Sequence, residues 1–80
     1  MTKRGKRERR IRENPDNVAL RDFEALISTY GHTEPGAKHF KAVIGEHVMT
    51  YKRENPVKSV YVRQLLSFID LTREAGQGKR

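Results

Sequence analysis

His39 is the residue of this chain best suited to transferring a proton at neutral pH, because imidazole gains and loses protons in that range without help from its surroundings. Lys38 and Lys41 lie close to it in sequence, and Lys52 and Arg53 follow the next apolar run. Their cationic groups could bind phosphate and stabilise negative charge that develops during a reaction. Spacing alone leaves two interpretations open: His39 is an acid–base group or an ordinary surface residue.

The other two histidines favour structural roles. His47 falls on the core side of a predicted hairpin, and His32 follows the end of a predicted helix, where it could bind the last carbonyl groups. The three histidines match no common zinc spacing. Because the chain also has no cysteine, the sequence predicts no metal site, no cofactor and no disulfide.

Positive charge is concentrated at the N-terminus. The chain has 80 residues, with 17 lysines and arginines against 10 acidic residues, and a formal net charge of +7. Residues 1–13 hold seven basic and two acidic residues, a net charge of +5, and lack apolar periodicity apart from Ile11. This pattern predicts a basic flexible N-terminal arm over residues 1–14 that could follow the phosphates of a polyanion. A solubilising extension is the alternative.

Apolar residues predict a first helix over residues 18–30. They recur at steps of three and four, as one face of a helix requires, at Leu20, Phe23, Ile27 and Tyr30, with Leu26 beside them. The turn-forming run over 14–17 precedes this helix, so Asn17 is the expected N-cap. Gly31 is expected to end the helix as its C-terminal glycine.

The strongest strand signal is a hairpin. Two β-forming runs, 40–44 and 47–51, are separated by Gly45-Glu46, which suits a type II′ turn. Residues directly opposite each other in an antiparallel pair point the same way, so this register assigns each pair to a face. The expected core face holds the pairs Phe40 with Tyr51, Ala42 with Met49, and Ile44 with His47. The expected open, basic face holds Val43 with Val48, Lys41 with Thr50, and His39 with Lys52.

A second helix is predicted over residues 59–74, where Val62, Leu65, Leu66 and Ile69 repeat the helical spacing. Ser59 is its expected N-cap, Gly76 its expected end, and residues 77–80 an expected frayed tail. A brief edge strand fits between the first helix and the hairpin. The predicted fold class is therefore α+β: a helix, a three-stranded antiparallel sheet and a helix, with both helices on one sheet face. This is the architecture of double-stranded RNA-binding domains, and it should span residues 15–76.

Three motifs, in this order, resemble the HicA toxin family. They are the Tyr30-Gly31 helix end, the stretch Gly36-Ala37-Lys38-His39 that opens the hairpin, and the run Asn-Pro-Val-Lys-Ser-Val-Tyr-Val-Arg-Gln-Leu-Leu over residues 55–66. The family pattern has an aromatic-Gly pair, a Gly-Ser-His motif, and a Pro-Val-Lys segment followed by Tyr-Val-Arg-Gln-Leu-Leu. The resemblance covers residues 11–72.

This resemblance implies a type II toxin–antitoxin pair, in which the toxin is a ribosome-independent mRNA endoribonuclease and a HicB-type antitoxin blocks it. It places the essential histidine at His39, and we assign RNA binding to Lys38, Lys41, Lys52 and Arg53. The expected partners are mRNA and the antitoxin. The absence from the sequence of a long apolar run predicts a cytoplasmic protein without a membrane partner.

The chain departs from the family motif beside the histidine. Lys38 stands where the motif has serine, and Gly36 lies three residues before His39 rather than two. A second interpretation therefore stays open, a non-catalytic RNA-binding module of the same fold.

Overall fold

A computed structural model describes the backbone of residues 3–78 and the side chains of residues 5–73. Its elements in chain order are α1 (Lys3–Glu13), α2 (Leu20–Tyr30), β1 (His32–Glu34), β2 (Phe40–Ile44), β3 (His47–Tyr51) and α3 (Ser59–Gly78). The three strands form one antiparallel sheet in the order β1-β2-β3. The predicted α+β class is confirmed, with one helix more than the sequence predicts.

The hairpin register is confirmed pair by pair. Phe40 lies opposite Tyr51, Ala42 opposite Met49, and Ile44 opposite His47. Gly45 has φ 61, and no other described residue has a positive φ. A left-handed residue at the first central position alone is the arrangement of a type II′ turn, in which glycine avoids the steric penalty of a Cβ.

The core lies between one face of the sheet and helices α2 and α3. Ala42, Ile44, Met49 and Tyr51 are buried on that face of the sheet. They pack in one cluster with buried residues of the helices and the connecting segments, which are Ile11, Val18, Phe23, Leu26, Ile27, Val57, Val62, Leu65 and Ile69. Both predicted apolar stripes are therefore used as expected, because each helix buries the face on which its apolar residues recur.

Helix α2 begins two residues later than predicted, and Asn17 is not its N-cap. Ala19 occupies that position and makes no side-chain capping bond. Instead, the Leu20 N–H donates to Oδ1 of Asn55, 35 residues further along the chain, at 3.2 Å. The Val57 N–H donates to the Val18 carbonyl at 2.8 Å, and the Asn55–Pro56 peptide bond is cis. The helix start is thus capped by a distant segment that sequence spacing cannot reveal.

Gly31 follows α2 as predicted, but for a different physical reason. Its φ of −166 and ψ of −135 describe extended backbone and not the left-handed conformation of a capping glycine. A Cβ at this position would lie 1.8 Å from the Val43 carbonyl oxygen. Gly31 is required because β2 passes directly against the backbone at this point.

Helix α3 continues past its predicted end. It runs from Ser59 to Gly78, so Gly76 does not terminate it. Residues 77 and 78, predicted as part of a frayed tail, belong to the helix, and residues 79–80 of that predicted tail lie outside the described residues.

The predicted flexible arm is wrong for residues 3–13, which form helix α1. Ile11 is only 4% exposed and belongs to the core cluster. Helix α1 lacks the apolar stripe that usually indicates a packed helix, because a single aliphatic residue enters the core and the remaining contacts are charged.

Glu8 is the centre of those charged contacts. This residue is 9% exposed, and its carboxylate accepts hydrogen bonds from the Tyr30 hydroxyl of α2, from Arg12 Nε at 3.0 Å, and from Arg73 of α3 at 3.4 Å. Arg12 also donates to Asp70 at 2.8 Å. These bonds join α1 to both other helices.

Burial raises the pKa of Glu8, but its bonds to Tyr30 and Arg12 and the charge of Arg73 together hold that pKa below its ordinary value. The same contacts act on their partners. Burial and the bond to Glu8 raise the pKa of the Tyr30 hydroxyl. The hydrogen bond to Asp70 raises the pKa of Arg12. The folded protein therefore favours ionised Glu8, which links its stability to pH.

No helix among the described residues is long and apolar enough to cross a bilayer.

Replacing Ile11 by alanine tests whether α1 belongs to the folded core. The substitution removes a buried side chain and leaves a cavity, so we expect the free energy of unfolding to fall by about 2–4 kcal/mol. Exposed Glu13 on the same helix is the matched control, and Glu13→Ala should change it by less than about 0.5 kcal/mol. Urea unfolding followed by circular dichroism measures both. Equal losses of unfolding free energy in the two variants would mean that α1 does not pack on the core.

Glu8→Gln tests the charged contacts of α1 through pH. A carboxylate whose folded pKa is depressed contributes stability above its unfolded pKa of about 4.5, and this contribution is lost as pH falls through the lower folded value. The native protein should therefore exceed Glu8→Gln in unfolding free energy at pH 6, and the difference should shrink at pH 3. Urea unfolding at both pH values measures it. A difference that is constant or larger in acid would contradict the assignment.

Candidate functional site

The face of the sheet opposite the core is uncovered by the described helices. It carries His32 and Glu34 from β1, Lys41 and Val43 from β2, and Val48 and Thr50 from β3. Val48 is 54% exposed, an unusual value for a valine in a sheet. The predicted open face is confirmed, because the register that buries Ala42 and Met49 turns their neighbours outward.

His39 lies at the edge of this face, in the turn that leads into β2, and its side chain is exposed. The sequence predicts that it pairs with Lys52 in the hairpin, but the ladder ends one pair earlier, at Phe40 and Tyr51. Both residues therefore lie just beyond the paired strands. None of the described residues forms a hydrogen bond with the His39 imidazole, so the ring is available to a ligand.

Gly36 shapes the turn that presents His39. A Cβ at Gly36 would lie 2.3 Å from the His39 carbonyl oxygen, and the obstacle is backbone. The chain therefore needs glycine here for the turn to close. The Gly36-to-His39 spacing that the sequence singles out thus has a direct structural purpose.

The lysines assigned to RNA binding are all exposed. Lys38 and Lys41 form no ion pair among the described residues. Lys52 lies 3.3 Å from Glu54, which is partly exposed, so water screens this pair and a stronger anion can displace the carboxylate. Lys38 adjoins His39, Lys41 follows two residues later, and Lys52 lies across the strand end. The sequence-predicted imidazole and three of the four predicted cations are therefore at one end of the open face.

Arg53 is held by a different contact. Its Nε and Nη2 donate to the two carboxylate oxygens of Glu24 on α2, at 2.8 and 3.1 Å. Its guanidinium also lies 4.9 Å from the centre of the Phe40 ring. This bidentate pair fixes the arginine at the edge of the site. Of the predicted RNA-binding residues, Arg53 is the one that the structure commits to an internal partner.

Glu24 also supports the site through Tyr51, which is fully buried and donates its hydroxyl to Glu24 at 2.6 Å. Burial and this bond raise the pKa of Tyr51 far above its ordinary value. Burial raises the pKa of Glu24, but the hydrogen bonds from Arg53 and Tyr51 lower it by a larger amount, so the pKa lies below its ordinary value. The bond to Glu24 raises the pKa of Arg53. Glu24 is thus an ionised anchor joining α2 to the end of the hairpin, a role that sequence analysis missed.

The remaining histidines do not join His39. His47 stacks on Phe68 of α3 with ring centres 5.0 Å apart, which confirms its predicted structural position. His32 lies on the open face with its Nε2 2.9 Å from Glu34, so the expected role as a helix cap is wrong. It pairs with Val43, four residues from His39 and roughly 13 Å along an extended chain. The described residues contain no cluster of side chains that could hold a metal ion.

This arrangement can supply one proton-transfer group and several phosphate-binding cations. The exposed imidazole can act as a base or an acid. The lysines can stabilise negative charge on a phosphate, as mobile point charges and not as rigid forks. A second acid–base group of the same kind is too distant for direct participation.

Comparison of the chain with models of protein families, with curated proteins and with solved structures finds no match.

Gly36→Ala tests the turn that positions His39. The added Cβ would collide with the His39 carbonyl oxygen, so the turn must open and the imidazole must move. Two-dimensional NMR should show shifted signals for the His39 ring and for the amides of residues 36–40, while distant core signals stay in place. The neighbouring exposed substitution Ala37→Ser is the control and should shift only its immediate neighbours. Unmoved His39 signals in Gly36→Ala would contradict this account of the glycine.

Proposed function

We propose that this protein is an mRNA-cleaving toxin similar to the HicA family, with His39 as its proton-transfer group. The observation that carries the proposal is the exposed, unbonded imidazole of His39 beside Lys38 and Lys41, at the end of an uncovered sheet face. An acid–base group among available cations is what RNA cleavage without a metal requires. A HicB-type antitoxin would be the partner that restrains the activity.

The reaction would use the RNA's own 2′-hydroxyl as the nucleophile. His39 removes the hydroxyl proton, the 2′-oxygen attacks the adjacent phosphorus, and the bond to the 5′-oxygen of the next nucleotide breaks. Water protonates that leaving oxygen, and the hydroxide so formed takes the proton from the His39 imidazolium, so the base is restored and the products are a 2′,3′-cyclic phosphate and a 5′-hydroxyl. Lys38 and Lys41 stabilise the extra negative charge on the phosphorane oxygens. Lysines bind phosphate without a fixed geometry, so sequence preference should be weak.

The order of elements supports an RNA substrate. From α2 to α3 the chain runs helix, three antiparallel strands, helix, with both helices against one sheet face, and we propose that this part is related to double-stranded RNA-binding domains. Such domains recognise RNA through its shape, phosphates and 2′-hydroxyls. The formal net charge of +7 favours the same class of partner. An mRNA substrate would place the protein in the cytoplasm.

A non-catalytic RNA-binding module is the second candidate, and one observation favours it. Catalytic imidazoles are commonly oriented by a hydrogen bond to their other nitrogen, but none of the described residues supplies such a bond to His39. Lys38, in place of the serine of the family motif, extends the positive surface without providing an orienting hydroxyl. The same lysines would then bind RNA without cleaving it.

His39→Ala separates cleavage from binding. Loss of a general acid–base group typically lowers the rate of the chemical step by about 10²–10⁴-fold, whereas the binding lysines remain. We therefore expect purified native protein to cleave a single-stranded RNA transcript, and His39→Ala to bind it with little cleavage. Gel electrophoresis and mass spectrometry measure fragments with cyclic-phosphate ends. On induced expression, growth should stop and total mRNA should be lost with the native chain alone.

His32→Ala is the matched control, because His32 is also an exposed histidine of the open face and lies far from His39. It should retain the native cleavage rate. Circular dichroism establishes that all three chains are folded. If native protein and His39→Ala bind RNA equally and neither cleaves it, the binding module is the correct function; if His39→Ala cleaves at the native rate, another group performs the chemistry.

A further inference from the structure

A basic groove of about 520 Å³ lies between helix α1 and the start of α2, away from the His39 site. Its lining includes three cations of α1, Lys6, Arg7 and Arg10, and two amides of the connection to α2, Asn14 and Asn17. The volume falls within the range of small-ligand sites, about 300–1,000 Å³. The groove exists because residues 3–13 form a packed helix.

The groove is on the opposite side of α2 from the Glu24–Arg53 pair. Asp22 lines it, and Glu24 follows two residues later, bonded to Arg53. Successive residues of an α-helix are separated by about 100°, so side chains two positions apart point in nearly opposite directions. A ligand in this groove therefore occupies a surface separate from the open sheet face.

Two cations in the groove are available to a ligand. Arg7 lies 3.7 Å from Asp22 and partly neutralises it. Lys6 and Arg10 are exposed and form no ion pair among the described residues. They are one helical turn apart, so they share a face of α1. By contrast, Arg12 is bonded to Glu8 and Asp70 and supports the fold.

The groove also contains groups that a simple anion would not use. Asn17 is exposed. The Asn17 side-chain amide does not cap α2, because Ala19 is the N-cap residue of that helix. Asn14 is exposed beside Asn17, whereas Ile11 and Val18 line the groove but are buried in the core. An amide carries both a donor and an acceptor, as the edge of a nucleobase does. Cations for a phosphate and amides for a base edge occur together here.

We propose that the groove between α1 and α2 binds a nucleotide of single-stranded RNA, with Lys6 and Arg10 on its phosphate and Asn14 and Asn17 on its base. The bases of single strands are accessible, whereas duplex RNA hides their edges. This inference rests on the proposed function, because that function makes RNA the ligand. It assigns α1 the task of holding the strand while the open sheet face holds the segment to be cleaved.

The test compares RNA binding by the double variant Lys6→Gln/Arg10→Gln and by the matched control Arg21→Gln/Lys58→Gln. The control removes one lysine and one arginine that are exposed outside the groove. The probe is a fluorescent ten-nucleotide 2′-O-methyl RNA, which cannot be cleaved because its 2′-oxygens are blocked. Fluorescence anisotropy gives the affinity, and thermal unfolding establishes that both variants keep the native stability.

The groove variant should bind about tenfold more weakly at 0.1 M salt, and the control within about twofold of the native chain. Losing the cations that neutralise this one phosphate should also reduce the slope of log affinity against log salt by about 0.7, the contribution of each neutralised phosphate of a single strand. Affinities and slopes that match those of the control would overturn the proposal.

Asn17→Ala distinguishes a nucleotide site from a merely positive groove. The amide carries no charge, so binding should weaken by about threefold while the salt slope stays unchanged. Unchanged affinity would overturn the nucleotide assignment. So would binding of an oligoglutamate peptide in place of RNA, because it would identify an acidic protein partner. Binding is measured here without cleavage, so a native chain that binds through this groove but never cleaves RNA would refute the proposed function alone.

Discussion

The type II′ turn at Gly45 and Glu46 determines what each face of the sheet can do. A two-residue turn allows one register, and a shift of that register by one residue would exchange the two faces. With the observed pairing, Ala42, Ile44, Met49 and Tyr51 are buried. Lys41, Val48 and Thr50 are exposed by the same geometry. The candidate site is therefore a consequence of the hairpin, because the pairing that builds the core also creates an uncovered face.

The sequence is sufficient to predict the parts of the fold that are built from local periodicity. Both apolar helical stripes, the hairpin and its turn type follow from neighbours within about one or two turns of chain. The sequence-based predictions are wrong where a residue distant in the chain determines the local structure. Asn55 caps α2 from 35 residues away, and Gly31 is needed because of Val43. Neither of these two long-range contacts can be predicted from the spacing of neighbouring residues.

Helix α1 shows the same limit in a stronger form. Its seven basic residues and isolated Ile11 are typical of a solvated arm. What holds the helix is Glu8, whose partners Tyr30 and Arg73 come from the other two helices. A buried carboxylate is stable only when several donors surround it, and a sequence does not show which donors will meet. The candidate site divides in the same way: the motif indicates His39 and the hairpin register indicates Lys41 and Lys52, but neither predicts the pairing of Arg53 with Glu24.

The buried contacts of α1 also determine which of its cations face outward. Glu8 and Arg12 are one turn apart and both point toward the rest of the fold. Lys6 and Arg10 precede them by two residues each, and are therefore rotated by about 200° around the helix axis. Because Glu8 is buried against the rest of the fold, Lys6 and Arg10 lie on the exposed side of α1. An RNA strand bound there would contact a rigid part of the molecule, because Glu8 and Ile11 join α1 to the core that supports the sheet. A flexible arm would lose conformational entropy on binding a strand, because the arm itself would have to become ordered. Helix α1 is already ordered, so its folded state favours the groove as a binding surface.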